Sequence, residues 1–134
     1  KPTARASLDR AQAEMTAVQH EHDVTDWSRT LLLLVAAFRQ DKATVDAVAA
    51  ELAAHIQSDA FTASSLRETI AAGRARLGET EAALALLEEL FQVPGSTCIT
   101  PVLLRLDPVW DPLRSDPRFQ KLADAHPIVP PGIR

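Results

Sequence analysis

The sequence predicts an all-α protein: a stack of helix-turn-helix repeats, closed at its C-terminal end by a capping segment of short helices. Three observations lead to this prediction. Alanine and leucine dominate, tyrosine is absent and β-branched residues are few, a composition that favours helix over strand. Apolar residues recur at helical spacing in five segments joined by short polar connections. The last two of these segments repeat the pattern of the two before them.

Composition limits the classes of partner. The 134 residues suit about one domain, and 46% apolar content is enough for a core. The net charge is −4 and Lys and Arg do not cluster, so we expect no nucleic-acid partner. The longest apolar run, 31–38, is far shorter than the about 20 residues that span a membrane, so we expect no membrane partner. The single cysteine, Cys98, favours a cytoplasmic location and leaves a periplasmic one open.

The first predicted helix covers 3–20. One of its faces carries apolar residues at spacings of three and four: Leu8, Ala11, Met15 and Val18. The polar stretch HEHDVTD, 20–26, interrupts this pattern. Asp26 is then the predicted N-cap of a second helix, which runs to Arg39 and presents the leucine-rich run as its apolar face.

Three further long helices follow, and short connections join them. The third is predicted over 42–57, where the apolar positions are Val45, Ala49, Leu52 and Ile56. The fourth covers 63–77 and ends at Gly78, a residue suited to a left-handed helix terminus. The fifth covers 79–91 and is closed by the Pro and Gly of VPGST. Because the connections are short, adjacent helices should form antiparallel hairpins.

An internal repeat favours a row of hairpins over a closed bundle. Displacing the sequence by 38 residues places Gln40 on Gly78, so the turn between two helices recurs. The same displacement places three apolar positions of 42–57 on apolar positions of 79–91: Val45 on Ala83, Ala49 on Leu87 and Leu52 on Leu90. Repetition of a helical hairpin is typical of stacked repeat proteins, in which each unit contacts its neighbours.

The stretch LRETIAAGRARLGETEAALALLEEL, 66–90, resembles a tetratricopeptide repeat, a hairpin unit with a period of about 34 residues. The family's turn glycine and its packing positions correspond here to Gly78, Ala83, Leu87 and Leu90. The chain departs from the family at Gln40, which replaces the turn glycine of the first unit, and at Arg67 and Arg74, where the family usually buries a large apolar residue. The longer spacing adds one helical turn, which we place in 42–57.

A wider resemblance covers 24–122 and is most specific in LRLDPVWDPLRSDPRFQ. This part is similar to the C-terminal end of bacterial multidomain proteins, in which a tetratricopeptide array follows a kinase, nucleotide cyclase or transcription-regulator module. The resemblance implies a fragment of a larger regulatory protein. It divides the chain into the second helix of a truncated repeat, two complete repeats, a cap and a tail: 1–23, 24–61, 62–95, 96–125 and 126–134.

Three Asp-Pro pairs, beginning at Asp107, Asp111 and Asp116, predict the cap. In each pair the Asp can be an N-cap and the Pro the first helical residue, and Thr100-Pro101 repeats the arrangement upstream. The segment 100–122 is therefore predicted as a string of short helices that covers the fifth helix. Its shared apolar side is predicted to hold Leu103, Leu106, Trp110 and Leu113, with Phe119 and Leu122 as a last turn. The alternative is that Trp110 and Phe119 form an exposed peptide-binding pair.

The function expected is a non-catalytic interaction module that binds a protein or peptide on its concave side. The first helix of each unit should line that side. Aligning the two units predicts eight residues there: Trp27, Thr30, Leu34 and Phe38 in the first unit, and Ser65, Glu68, Ala72 and Arg76 in the second. The alternative is that Trp27 and Phe38 pack against the truncated preceding unit. The unfinished N-terminal helix also leaves an edge through which a homodimer could form.

Sequence features of a catalytic or metal site are weak. His20, Glu21, His22 and Asp23 have metal-binding side chains, but neighbours two apart on a helix point away from each other, and no second cluster appears. Cys98 has no base nearby in sequence, and no phosphate-binding glycine motif is present. We therefore expect no enzyme activity, no catalytic or metal ligands and no cofactor. A small helical metal-binding or enzymatic bundle is the alternative.

Overall fold

The computed structural model describes residues 3–21, 25–56, 60–92 and 99–125. Five long α-helices come first: α1 Ala4–Glu21, α2 Asp26–Phe38, α3 Lys42–Ile56, α4 Ala60–Arg76 and α5 Thr80–Gln92. Three short helices follow: α6 Pro101–Leu106, the 3₁₀ helix η1 Pro108–Leu113 and α7 Pro117–Ala123. These described ranges contain no β-strand. The predicted loop VPGST, 93–97, and the predicted tail, 126–134, lie outside them.

The long helices lie in a row of hairpins. Helix α2 packs against α3 within its hairpin and against α4 of the next one, and α4 packs against α3 and α5. Helix α1 packs against α2, and η1 packs against α4 at the other end of the row. In the described residues α1 and α5 share no extensive contact, so the helices do not close around one axis. The all-α stack with a C-terminal cap, which the sequence predicts, is thus the observed fold.

The two hairpin turns have the same backbone geometry. Gln40 has a φ of 62° and Gly78 has a φ of 80°, so both lie in the left-handed region. The amide of Asp41 donates to the carbonyl of Ala36 at 2.9 Å, and the amide of Glu79 donates to that of Arg74 at 2.9 Å. The repeat offset read from the sequence therefore holds at the level of single hydrogen bonds.

Two apolar clusters form the core. The first lies among α2, α3 and α4, and the second joins α4 and α5 to the cap. Leu34 and Leu86 pack against both clusters, so the two are continuous. Helix α4 fits between them because its residues there are small. A Cβ added at Gly73 would lie 2.4 Å from Cδ2 of Leu33, which shows how closely α2 and α4 approach.

Helix starts confirm most of the predicted caps and correct two. Thr100, Asp107 and Asp116 each accept a hydrogen bond from a backbone amide at the start of a short helix, and a proline follows each of them. Asp111-Pro112, however, lies inside η1 and starts no helix. At α2 the N-cap is Thr25, which accepts from the amide of Ser28, and the predicted cap residue Asp26 is the first helical residue.

The apolar side of the cap differs from the prediction. Trp110 and Leu113 are buried as expected, but Leu103 and Leu106 are 44% and 71% exposed. Leu104 faces the core in their place. The reason is a break at Asp107, where a ψ of 121° ends α6, so a helical spacing cannot be counted across it. Because Trp110 and Phe119 are both at most 2% exposed, the alternative of an exposed aromatic pair is wrong.

Arginine side chains connect the cap to the stack and connect the short helices of the cap with one another. Arg118 donates to both carboxylate oxygens of Glu81 on α5, at 2.8 and 2.6 Å, and also pairs with Asp116. Arg114 donates to the carbonyl oxygens of Arg105 at 2.5 Å and Asp107 at 3.2 Å, which lie where α6 ends. These bonds satisfy carbonyl groups that a six-residue helix leaves without intrahelical partners.

Candidate protein-binding face

The eight residues predicted to bind a partner lie on α2 and α4, and we call this surface the α2–α4 face. Their exposure falls into three classes. Trp27 is 69% exposed, Phe38 is 46% exposed and Ser65 is exposed. Thr30, Leu34, Glu68 and Arg76 are half-buried. Ala72 is 5% exposed, so it lies beneath the surface and offers a partner little contact.

Helix α1, which the sequence analysis assigned to a preceding unit, does not cover the aromatic side chains of α2. Helix α1 packs against α2, yet it leaves most of the Trp27 side chain in solvent. Its contacts to the turn after α2 are polar: Arg39 donates to Asp9 at 2.7 Å, and Gln12 donates to Asp41 at 2.9 Å. Large apolar side chains at both ends of α2 therefore remain accessible on the α2–α4 face.

Phe38 and Arg76 join the two helices at one end of this face. The guanidinium carbon of Arg76 lies 4.4 Å from the centre of the Phe38 ring, a cation–π contact. The Nε of Arg76 is buried and has no hydrogen-bond partner among the described residues. No described carboxylate forms an ion pair with this guanidinium. Phe38 thus supports a cation whose charge the described part of the fold leaves uncompensated.

Glu68 lies two turns earlier on α4, beside the cap. Its carboxyl is half-buried, and no described cation pairs with it. Burial raises the pKa of Glu68 to about 7, and the negative charge of Asp107 adds to the effect. Asp107 is the N-cap of η1, which packs against α4. The α2–α4 face therefore carries two groups of opposite charge, each without an ion-pair partner in the described chain.

Four charged residues near the turns of the two hairpins are paired with one another, in contrast to Glu68 and Arg76. Arg74 pairs with Asp46 and with Glu79, the latter at 2.7 Å, and Lys42 pairs with the same two carboxylates. Hydrogen bonds from Arg74 and Lys42 hold the pKa of Asp46 below its ordinary value. Arg74, for which the resemblance to tetratricopeptide repeats implied a buried apolar position, is thus part of an ion-pair network. The sequence alone does not predict this network, because Lys42 and Glu79 lie far apart in the chain.

A second surface was not predicted from the sequence. An open groove of about 510 Å³ lies among α3, α4 and α5, and one of its walls carries Arg67. Its lining is rich in small residues: Ala49, Ala50, Ala53 and Ala82. The signal in the sequence was the run of alanines in α3. Helix α6 also exposes an apolar side made of Val102, Leu103 and Leu106.

The described residues contain no cluster of side chains suited to metal-binding or catalytic chemistry. They contain no group of three or more His, Cys, Asp or Glu side chains that could hold a metal ion. The His20 and Glu21 side chains, together with His22, Asp23, Cys98 and His126, fall outside the described part of the chain. His55 lies in the last turn of α3, with its Nδ1 2.6 Å from Oδ1 of Asp26.

No protein-family model, curated protein or solved structure matches the chain. None of the described helices has both the length and the apolar character needed to cross a bilayer.

Proposed function

We propose that the protein is a non-catalytic interaction module of the tetratricopeptide type that binds a protein or peptide on its α2–α4 face. The observation that carries the proposal is the combination found there. Trp27 and Phe38 are exposed, and neither Glu68 nor Arg76 forms an ion pair within the described chain. Trp and Arg are the residues that most often dominate binding energy at protein interfaces. Groups that the fold itself does not satisfy are the ones that a partner can stabilise on contact.

The wider resemblance suggests the biological setting of this module. The Asp-Pro cap and the two hairpins are similar to the C-terminal region of bacterial regulatory proteins, so we infer a scaffold role in a larger cytoplasmic protein. Rigid hairpins suit this role because they hold Trp27 and Phe38 at a fixed separation along α2. A binding face on rigid helices loses little conformational entropy when a partner docks.

Binding by purified protein to a displayed library of random peptides tests the proposal. We expect enriched peptides to lose affinity for the double variant Phe38→Asp, Arg76→Glu. The matched control is Leu103→Asp, Arg67→Glu, which makes the same changes at a similarly exposed apolar residue and at an arginine outside the face. Peptides that bind the first variant and the wild type equally would contradict a role for the α2–α4 face.

Self-association through α1 remains a prediction with little support from the described surface. The described side chains of α1 include no exposed large apolar residue, whereas such residues occur on α2 and α6. Sedimentation of the purified chain measures this directly. A concentration-dependent dimer that survives charge substitutions in α1 would rule out the N-terminal edge as the dimer interface.

A further inference from the structure

Two charged residues of α4 that lie on the α2–α4 face have no ion-pair partner among the described residues, and their spacing is defined. Glu68 and Arg76 are eight positions apart in one helix, which at about 1.5 Å per residue separates them by roughly 12 Å along its axis. An extended chain covers that distance in about four residues, at about 3.3 Å each. Side chains four apart on a strand point to the same side. One extended segment can therefore contact both groups with alternate residues of a single face.

The site at Arg76 is built for a planar anion. The Phe38 ring packs against the guanidinium and so restricts its plane, and no described carboxylate competes for its N–H groups. Arginine binds carboxylates through two parallel hydrogen bonds, and a guanidinium held in place in advance loses less entropy when they form. An aspartate or glutamate side chain is thus the complementary group at this end.

The site at Glu68 calls for the opposite charge. Its half-buried carboxyl is subject to the negative charge of Asp107, the N-cap of η1, and no cation of the described residues forms an ion pair with it. A lysine or arginine of a partner would relieve the repulsion between these two carboxyls and satisfy Glu68. A uniformly acidic segment would be repelled here, and a uniformly basic one would be repelled at Arg76.

We propose that the partner is an extended segment with one acidic and one basic side chain four residues apart, which bind the Phe38–Arg76 pair and Glu68 respectively. This inference rests on the proposed function, because it assigns the chemistry of the partner to the same face. It excludes a helical partner in the same register, since a helix would need its two charges about eight residues apart.

Selection from a random peptide library gives the first test. Enriched sequences should carry acidic and basic residues at a separation of four, in either order along the chain. A panel of synthetic peptides derived from one enriched sequence then moves the basic residue through other separations. We expect affinity, measured by fluorescence anisotropy, to fall by about tenfold or more when the separation leaves four. Equal affinity at a separation of eight would overturn the extended conformation.

Charge reversal gives the second test. Arg76→Glu should lower the affinity for the selected peptide by about tenfold or more. A peptide whose acidic residue is changed to lysine should bind this variant with the original affinity. Glu68→Lys with a peptide whose basic residue becomes glutamate should behave in the same way. Arg67→Glu, outside the face, is the control and should leave affinity unchanged.

The outcomes of these tests distinguish a failure of the proposed charge pattern from a failure of the proposed function. If peptides bind, and lose affinity with Trp27→Ala and Phe38→Asp but not with Arg76→Glu or Glu68→Lys, the α2–α4 face is a binding face and the charge pattern is wrong. If no peptide is enriched, or if binding ignores all four substitutions, both proposals fail. Circular dichroism of each variant shows that lost binding does not come from unfolding.

Discussion

The residues at the two hairpin turns adopt one backbone conformation with different side chains. Gly78 enters the left-handed region without steric cost, whereas Gln40 does so against a penalty of about 1–2 kcal/mol. The Gln40 side chain compensates by donating to the carbonyls of Ala37, at 3.1 Å, and Arg76, at 2.7 Å. It thereby ties the first turn to the C-terminal end of α4. The side chain of Gln40 thus forms a contact between the two hairpins.

Substitution of Gly78 isolates the cost of this conformation. A Cβ added there meets no atom within 4 Å, so Gly78→Ala should lose about 1 kcal/mol of unfolding free energy through the backbone alone. Gly78→Asn should lose less, because asparagine tolerates the left-handed region better. Urea denaturation measures both values. Equal losses for the two variants would show that something other than backbone strain sets the cost.

Glu68 should make stability depend on pH. Its pKa of about 7 in the folded state lies above the ordinary 4.5, so the folded state holds this proton more tightly than the unfolded state does. Its contribution is therefore full below about pH 4.5 and is lost as the pH rises through 7. Between pH 4.5 and 7, the unfolding free energy of the wild type should fall by about 1 kcal/mol relative to that of Glu68→Gln. This value allows for solvent screening of a half-exposed group. A constant difference between the two denaturation curves would contradict this.

At the scale of elements, the five long helices could be predicted because each shows its own period of apolar residues over three or more turns. The short helices of the cap show how that reasoning fails. A period needs several turns to be read, and α6 has six residues before the chain changes direction at Asp107. Leu104 therefore replaces its neighbour Leu103 in the core. The aspartate N-cap and the proline after it correctly predicted where two helices begin, at Asp107 and Asp116. They did not predict which side of each short helix is buried.

The cap helices should depend on their N-cap side chains, since they are too short to be stable alone. The hydroxyl of Thr100 accepts from the amide of Leu103 at 3.2 Å at the start of α6. Thr100→Ala should cost about 1 kcal/mol of unfolding free energy. Thr100→Asp keeps an acceptor and should retain most of the stability, so chemical denaturation of the two variants separates capping from other effects. Equal destabilisation would show that the hydroxyl is not the cause.

The whole molecule explains why the candidate face was only partly predictable. The repeat alignment placed its eight residues on α2 and α4, and a periodic sequence carries that information. The periodic pattern does not show which charged residues form ion pairs, because such pairs join residues far apart in the chain. Lys42 and Glu79 are an example. The stacking of Phe38 with Arg76 and the isolation of Glu68 emerge only when hairpins and cap pack together. The burial of Ala72 likewise follows from packing, not from its position in the repeat.

The two tryptophans allow stability and recognition to be separated across the molecule. Trp110 is 1% exposed in the cluster that joins the cap to α4 and α5, so Trp110→Ala should cost about 3–5 kcal/mol of unfolding free energy. Trp27 is 69% exposed, and Trp27→Ala should change stability by no more than about 0.5 kcal/mol.

For binding the order should reverse. Trp27→Ala should weaken a selected peptide in a protein that remains folded, because its side chain is available to a partner. Urea denaturation and fluorescence anisotropy on the same two variants provide both measurements. If Trp27→Ala destabilised the fold as much as Trp110→Ala, Trp27 would be part of the core, and the α2–α4 face would lose the anchor at its N-terminal end.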